Sequence, residues 1–140
     1  GPWGGGRGVV AMGLCAGLVA CVGGWAPGFR LDQFIEGTTP ARGYIGVRTL
    51  AQVLAALLAL PQLPAVLNIA QPGLVEMGTL LDAAGRDWTA HPAPDAAIAR
   101  VALDCSLVQD LVPVPTADPR PMVQQWRELE PPITGKQGRI

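Results

Sequence analysis

A strand–helix–strand pattern in the middle of the chain constrains the fold more than any other feature. Apolar residues recur there at the three- and four-residue spacing of one helical face: Leu50, Val53, Leu54, Leu57 and Leu58. This spacing predicts a helix over residues 49–60, with Thr49 as its N-cap and Pro61 just after its end. Short apolar runs over residues 44–47 and 65–70 predict a strand on either side. Strands that alternate with helices indicate an α/β fold.

The alternation continues downstream. We predict a second helix over residues 77–84, with Gly85 as its C-cap. Its inward residues are Leu80, Leu81 and Ala84. Residues 101–103 are a candidate strand, and Asp104 can cap a short helix that ends at Leu111.

The last predicted helix has a clear start signal. Asp118 is its N-cap and Pro119 takes the first helical position. Its apolar stripe is formed by Met122, Val123, Trp126 and Leu129. The polar residues 131–140 that follow predict a flexible tail.

The first 28 residues differ from the rest, because they hold 10 of the 18 glycines and no acidic residue. Residues 1–22 are therefore set apart as a divergent Gly-rich apolar segment, and residues 23–130 form the predicted domain. The apolar run over residues 9–22 is shorter than the roughly 20 residues of a membrane span. It predicts a buried strand element in a cytoplasmic protein. The alternative is an exported lipoprotein, with residues 18–21 as its cleavage site.

Composition excludes several classes of function. The chain is 49% hydrophobic and 15% charged, which indicates apolar surface that expects a partner. A net charge of −1 and a single Lys, Lys136, exclude the basic surface that nucleic acids need. The three cysteines have no metal-binding spacing, and His91 is the only histidine, so no metal site is predicted. A G-x-G-x-x-A string over residues 6–11 follows no predicted strand and is not interpreted as a dinucleotide loop.

Four segments together resemble a known family. Residues 39–51 place Arg42 before the run Tyr44-Ile45-Gly46-Val47, which leads into a helix. Residues 66–70, 75–81 and 101–107 follow in order. Over residues 23–130 this order is similar to the C-terminal, substrate-binding portion of the extended short-chain dehydrogenase/reductase family, the NAD-dependent epimerase/dehydratase group.

The resemblance implies the C-terminal part of a Rossmann-type fold, a small-molecule substrate, and NAD or NADP as the cofactor. Members bind the cofactor through a G-x-x-G-x-x-G loop and transfer protons with a Tyr-x-x-x-Lys pair. Here the only Tyr, Tyr44, stands four residues before Arg48, and a guanidinium that stays protonated is a poor proton relay. We therefore expect that this chain by itself neither binds the cofactor nor catalyses a reaction.

One substrate-binding residue is implied by the resemblance, and that residue is Arg42. In the family the Arg at this position points into the substrate pocket, and in nucleotide-sugar enzymes it contacts a phosphate, which suits a guanidinium fork. The alternative is an exposed turn residue after Pro40. Arg30, Asp32 and Gln33 lie where the family's substrate loops vary, and they receive no role.

The tryptophans are interpreted as packing residues rather than stacking platforms. This interpretation covers three of the four tryptophans, Trp25, Trp88 and Trp126.

The predicted function is the substrate-binding portion of an NAD(P)-dependent epimerase, dehydratase or reductase, hence of an isomerase or oxidoreductase. The alternative is a non-catalytic protein-interaction module derived from that family. The expected macromolecular partner is the missing Rossmann half or a second copy of the chain; neither a nucleic acid nor a membrane is expected. Because the helix over residues 49–60 and the strand over residues 65–70 would pack on that half, we expect their apolar faces to be open and the chain to be marginally stable or to self-associate.

Overall fold

A computed structural model describes residues 29–129. The predictions for residues 1–28 and 130–140, including those for Trp25, Lys136 and the apolar run, lie outside the described residues. The strands are β1 Phe29–Gln33, β2 Ala41–Arg42, β3 Val75–Glu76, β4 Trp88–Pro92 and β5 Arg100–Val101. The helices are α1 Val47–Leu58, α2 Met77–Ala83, α3 Ser106–Leu111 and α4 Pro119–Leu129. The α/β prediction is confirmed.

The strands of the described residues form two small sheets. In one, β1 and β4 pair in parallel. In the other, the order is β3-β2-β5, with β2 antiparallel to β3 and parallel to β5. The central strand of this second sheet is therefore the one that carries Arg42.

Two hydrophobic cores pack the helices against one another and against the segments between them. The first core packs α1 against α3 and the segment between α1 and β3; its most buried residues are Ile45, Leu57, Leu67, Ile69 and Val108. The second core packs α2 against α4 and consists of Tyr44, Val75, Leu80, Ala84, Met122, Val123 and Trp126. Tyr44 and Ile45 are consecutive but enter different cores. The short segment between β2 and α1 thus joins the two halves of the interior.

The predicted strand over residues 44–47 and the predicted cap at Thr49 are both wrong. The strand lies two residues upstream of Tyr44, at β2, and the helix begins at Val47 after the N-cap Gly46. Thr49 is inside the first helical turn and is buried. The apolar residues Tyr44 and Ile45 correctly indicated burial, but they are buried in an irregular segment and not in a strand.

The predicted strand over residues 65–70 is wrong as well. Leu67 and Ile69 fill the first core, but this segment pairs with no strand among the described residues. Because the inward faces of this segment and of α1 are buried within the chain, the expectation of open apolar faces is also wrong. Leu58, which was predicted to lie on the same face as Val53 and Leu57, is exposed instead, and so is Val66.

The later helices follow the sequence signals more closely. The helix predicted over residues 77–84 is α2, and Gly85, just after it, has a φ of +70° that favours glycine. Asp118 accepts the backbone N–H of Arg120 at the start of α4, as predicted. Asp104 accepts the backbone N–H of Ser106, but the N-cap of α3 is Cys105, one residue after the predicted cap. The inward positions predicted for α2 and α4 are confirmed except for Leu129, which is exposed.

Three further differences concern strands. The strand predicted over residues 101–103 begins one residue earlier and is only Arg100–Val101. Both strands of the β1–β4 sheet were missed, because they carry polar residues and a terminal Pro92 rather than an apolar run. The two-residue β3, at the start of the predicted second helix, was missed too.

Candidate functional site

The second sheet presents Arg42 at the end of β2, beside β5. Its Nη1 donates to the carbonyl of Ala41 at 2.9 Å and to that of Ala99 at 3.4 Å, and its Nη2 donates to the carbonyl of Ile98 at 3.0 Å. A guanidinium has five N–H donors. Among the described residues, three donors are engaged and two remain for a ligand. Arg42 is half-buried, so it is not the freely exposed turn residue of the alternative interpretation.

The register of β2 and β5 separates two arginines onto opposite faces of the sheet. Arg42 lies opposite Val101, whereas Ala41 lies opposite Arg100. Side chains directly opposite one another share a face, and neighbours along a strand point to opposite faces. Arg42 and Val101 therefore share one face, while Arg100 lies on the other.

Two open cavities lie among the described residues. One, of about 610 Å³, is lined by residues that include Gly43, Gln71, Gly73, Arg100, Asp104 and Ser106. The other, of about 440 Å³, is lined by residues that include Gln33, Phe34, Ile35, His91, Asp95 and Ala97. Arg42 lines neither. Two of the three carbonyls that it contacts belong to Ile98 and Ala99, which lie in the sequence between Ala97 of one cavity and Arg100 of the other.

The segment that follows Arg42 is held by two glutamines. The backbone N–H of Gln71 donates to the carbonyl of Tyr44 at 2.9 Å, and the Oε1 of Gln71 accepts the N–H of Gly46 at 2.8 Å. At the start of α1, the Oε1 of Gln125 accepts the N–H groups of Arg48 and Thr49 at 3.0 and 3.1 Å. A residue of α4 thus supplies the N-terminal cap that was assigned to Thr49.

Tyr44 and Arg48 do not form an acid–base pair. Tyr44 is 3% exposed within the second core, whereas Arg48 is exposed and forms an ion pair with Glu128 of α4.

Possible metal ligands, the thiol of Cys105 and the carboxylate of Asp104 also bear on the chemistry of the described residues. No group of three or more His, Cys, Asp or Glu residues between positions 29 and 129 could hold a metal ion. Burial raises the pKa of the Cys105 thiol, so the neutral thiol is favoured. The hydroxyl and backbone N–H of Ser106 lower the pKa of Asp104, which keeps this carboxylate charged at the start of α3.

A pair that the sequence did not suggest links the two strands of the other sheet. Asp32 and His91 lie opposite each other in the register of β1 and β4, and the Nε2 of His91 lies 2.7 Å from the Oδ1 of Asp32. The Nδ1 of His91 is buried and has no hydrogen-bond partner among residues 29–129. Since its free nitrogen does not reach the cavity that the ring lines, His91 is not placed to exchange a proton with a ligand there. The pair was missed because its members are 59 positions apart.

The other sequence candidates have separate surroundings. Arg30 and Gln33 are exposed on β1, and Gln33 lines the smaller cavity. The Nε1 of Trp88 donates to the Oδ1 of Asp82 at 2.8 Å, and Trp126 is buried in the second core. The structure brings none of these residues to Arg42 by a hydrogen bond or an ion pair within the described range.

No known protein family model matches this chain, and no curated protein matches it. Solved structures do match. A UDP-glucose-4-epimerase from Stenotrophomonas maltophila, with bound NAD and formylated UDP-arabinopyranose, has a TM-score of 0.52 and 19% identity over 81% of this chain and 37% of its own. RMD from Pseudomonas aeruginosa, complexed with NADPH, has a TM-score of 0.51 and 16% identity over 89% of this chain and 49% of its own. A UDP-glucose 4-epimerase from Bifidobacterium longum, in complex with NAD+ and UDP, has a TM-score of 0.50 and 19% identity over 79% and 37%.

These likenesses establish the class of fold. The chain has an α/β fold similar to Rossmann-type epimerases and reductases, and it spans less than half the length of each of these three proteins. Between residues 29 and 129, no helix has the length and apolar character needed to cross a membrane.

Proposed function

We propose that the chain is the substrate-binding portion of an NAD(P)-dependent epimerase, dehydratase or reductase, with residues 23–130 as its domain. The observation that carries this proposal is the shared fold, because the solved structures that match are complexes with NAD, NADPH, UDP or a UDP-sugar. Since this chain corresponds to less than half of each of those proteins, the chemistry belongs to the assembled enzyme. The cofactor, NAD or NADP, is assigned to that enzyme and not to this chain alone.

Arg42 is the residue to which we assign the substrate. Its two N–H donors that are not engaged by described carbonyls suit the oxygens of a diphosphate, to which guanidinium groups bind strongly. The three carbonyl contacts hold the fork in place before a ligand arrives, so little side-chain entropy is lost on binding. A nucleoside diphosphate linked to a sugar is the substrate class that this chemistry favours.

The chain should not catalyse a reaction alone. A proton-transfer pair needs a phenol beside an ammonium group. The only phenol, that of Tyr44, is buried in the second core, and the only ammonium side chain is that of Lys136. We therefore propose a Rossmann half, supplied by a further segment or a separate chain in the cytoplasm, as the partner.

A titration of the full 140-residue chain with UDP tests the assignment of Arg42. We expect UDP to bind more tightly than uridine, and Arg42→Met to raise the Kd for UDP at least about tenfold, the size expected for one charge-assisted contact. Arg100→Met is the matched control, because Arg100 lies on the opposite face of the same strand pair. Equal effects of the two substitutions, or equal affinity for UDP and uridine, would contradict the assignment.

A second candidate function is a non-catalytic interaction module, which the exposed apolar residues favour. Leu58 at the end of α1 and Val66 in the following segment are 61% and 62% exposed. Analytical ultracentrifugation separates the candidates. Self-association that Leu58→Ser abolishes, in a chain that has no affinity for UDP, would favour the interaction module over the substrate-binding portion.

A further inference from the structure

We propose that Gln71 is a positioning residue for Arg42, an inference that rests on the proposed function of Arg42. Gln71 is 7% exposed, and it makes three hydrogen bonds. Its backbone N–H donates to the carbonyl of Tyr44, its Oε1 accepts the N–H of Gly46, and its Nε2 donates to the carbonyl of Pro115 at 3.2 Å. One buried side chain thus ties the segment after β2 to the loop before α4.

The orientation of the Gln71 amide follows from its neighbours. A backbone N–H such as that of Gly46 can only donate, and the carbonyl of Pro115 can only accept. The amide oxygen must therefore face Gly46 and the amide nitrogen must face Pro115. Neither contact survives a reversal of the amide.

The segment needs this support because its strand is so short. β2 is two residues long, and residues 43–46 belong to no strand or helix. The buried carbonyl of Tyr44 and the buried N–H of Gly46 lie in that segment, and buried polar groups without partners are costly. The backbone N–H of Gln71 binds the carbonyl of Tyr44, two positions after Arg42, and its side-chain Oε1 binds the N–H of Gly46, four positions after Arg42. Together these two bonds fix the path of the backbone as it leaves β2.

That path determines where the guanidinium of Arg42 can reach. The contacts of Arg42 with Ile98 and Ala99 come from the residues just before β5, and the backbone N–H of Ala41 donates to the carbonyl of Ala99 at 2.8 Å. A displacement of the exit of β2 would move the fork relative to those carbonyls. Displacements of about 1 Å are enough to weaken a site that depends on geometry.

Gln125 provides an internal comparison. Its amide also binds backbone N–H groups of the same stretch, but at Arg48 and Thr49, inside α1 and beyond Gly46. Loss of that contact should weaken the folding of the chain without releasing the exit of β2. The two glutamines therefore separate stability from positioning.

The test compares Gln71→Met with Gln125→Met in the full 140-residue chain. Both substitutions keep an unbranched side chain of similar volume and remove its polar atoms. We expect Gln71→Met to raise the Kd for UDP about tenfold and Gln125→Met to change it less than about twofold, although both lower the denaturation midpoint. Gln71→Glu keeps an acceptor for Gly46 but sets a carboxylate oxygen against the carbonyl of Pro115, so we expect it to restore only part of the affinity.

A second readout does not depend on UDP binding. The Nε–Hε signal of Arg42 in an NMR spectrum reports whether the fork is held in one position, and we expect it to be sharp in the unsubstituted chain and in Gln125→Met, but broadened in Gln71→Met. If the unsubstituted chain does not bind UDP, the proposed function fails and this signal alone decides the role of Gln71. Equal Kd changes for the two Met variants, or an unchanged Arg42 signal in Gln71→Met, would overturn the positioning role.

Discussion

The segment around Gly46 and the β1–β4 sheet are held together in different ways. Around Gly46, the backbone is buried between two cores and bound by the amides of Gln71 and Gln125. In the β1–β4 sheet, two parallel strands are paired along their backbones and linked by the side chains of Asp32 and His91, which are 29% and 33% exposed. A two-stranded sheet has little stability of its own. We therefore expect the first region to tolerate very little change and the second to tolerate much more.

The largest effect is expected for Gly46→Ala. An added Cβ would lie 2.9 Å from the Cδ of Gln125, and Gln125 cannot move away without losing its bonds to the start of α1. We expect a loss of about 2–3 kcal/mol of unfolding free energy, measured by urea denaturation. Gly43→Ala is the matched control, because its Cβ would meet the Cβ of Ala70 at an ordinary 3.6 Å.

The cause of this loss can be checked with a double-mutant cycle. Gln125→Ala removes the amide that the new Cβ would meet, so the double variant should lose clearly less stability than the sum of the two single variants. Additive losses would mean that the close approach of Gly46 and Gln125 is not what limits this position.

A smaller effect is expected in the β1–β4 sheet. Asp32→Ala removes the partner of His91, but because both side chains are partly exposed the loss should be about 1 kcal/mol or less at neutral pH. Asp32→Asn keeps an acceptor for the Nε2 of His91 and should cost less still. Thr89→Ala, at an exposed position of the same sheet, is the control. If Asp32→Ala lowered the stability as much as Gly46→Ala, the contrast between the two regions would be wrong.

The smallest effect is expected at the start of α3, where the stability contributed by Asp104 should fall at low pH. Ser106 lowers the pKa of Asp104 below its ordinary value of 3.8. A carboxyl group whose pKa is lowered in the folded state contributes stability above the pKa of the unfolded chain, and that contribution is lost as the pH falls through the folded pKa. An NMR titration of the Asp104 carboxyl group should give a midpoint below that of Asp104 in Ser106→Ala. Identical midpoints would refute the role of Ser106.

The helices could largely be predicted from the sequence, and the reasons are local. The spacing of Val53 and Leu57, the cap at Asp118 and the glycine at position 85 each act within a few residues of the helix that they define. The same local reasoning placed the N-cap of α1 at Thr49. It failed there because the cap comes from Gln125, 76 positions away.

The strands and the site were harder to predict for a related physical reason. A two-residue strand such as β2 leaves no periodic pattern, and the apolar residues of segment 65–70 indicated burial without a pairing partner. The sequence resemblance singled out Arg42, but it could not reveal the carbonyls of Ile98 and Ala99 that hold its guanidinium or the role proposed for Gln71. Those contacts depend on the packing of distant segments.

The most direct test of the central claim is a crystal structure of the full chain soaked with UDP. The account predicts the diphosphate within hydrogen-bonding distance of the Arg42 guanidinium, on the face of the sheet that Arg42 shares with Val101. A diphosphate bound beside Arg100 on the opposite face, or no bound UDP at saturating concentration, would contradict it.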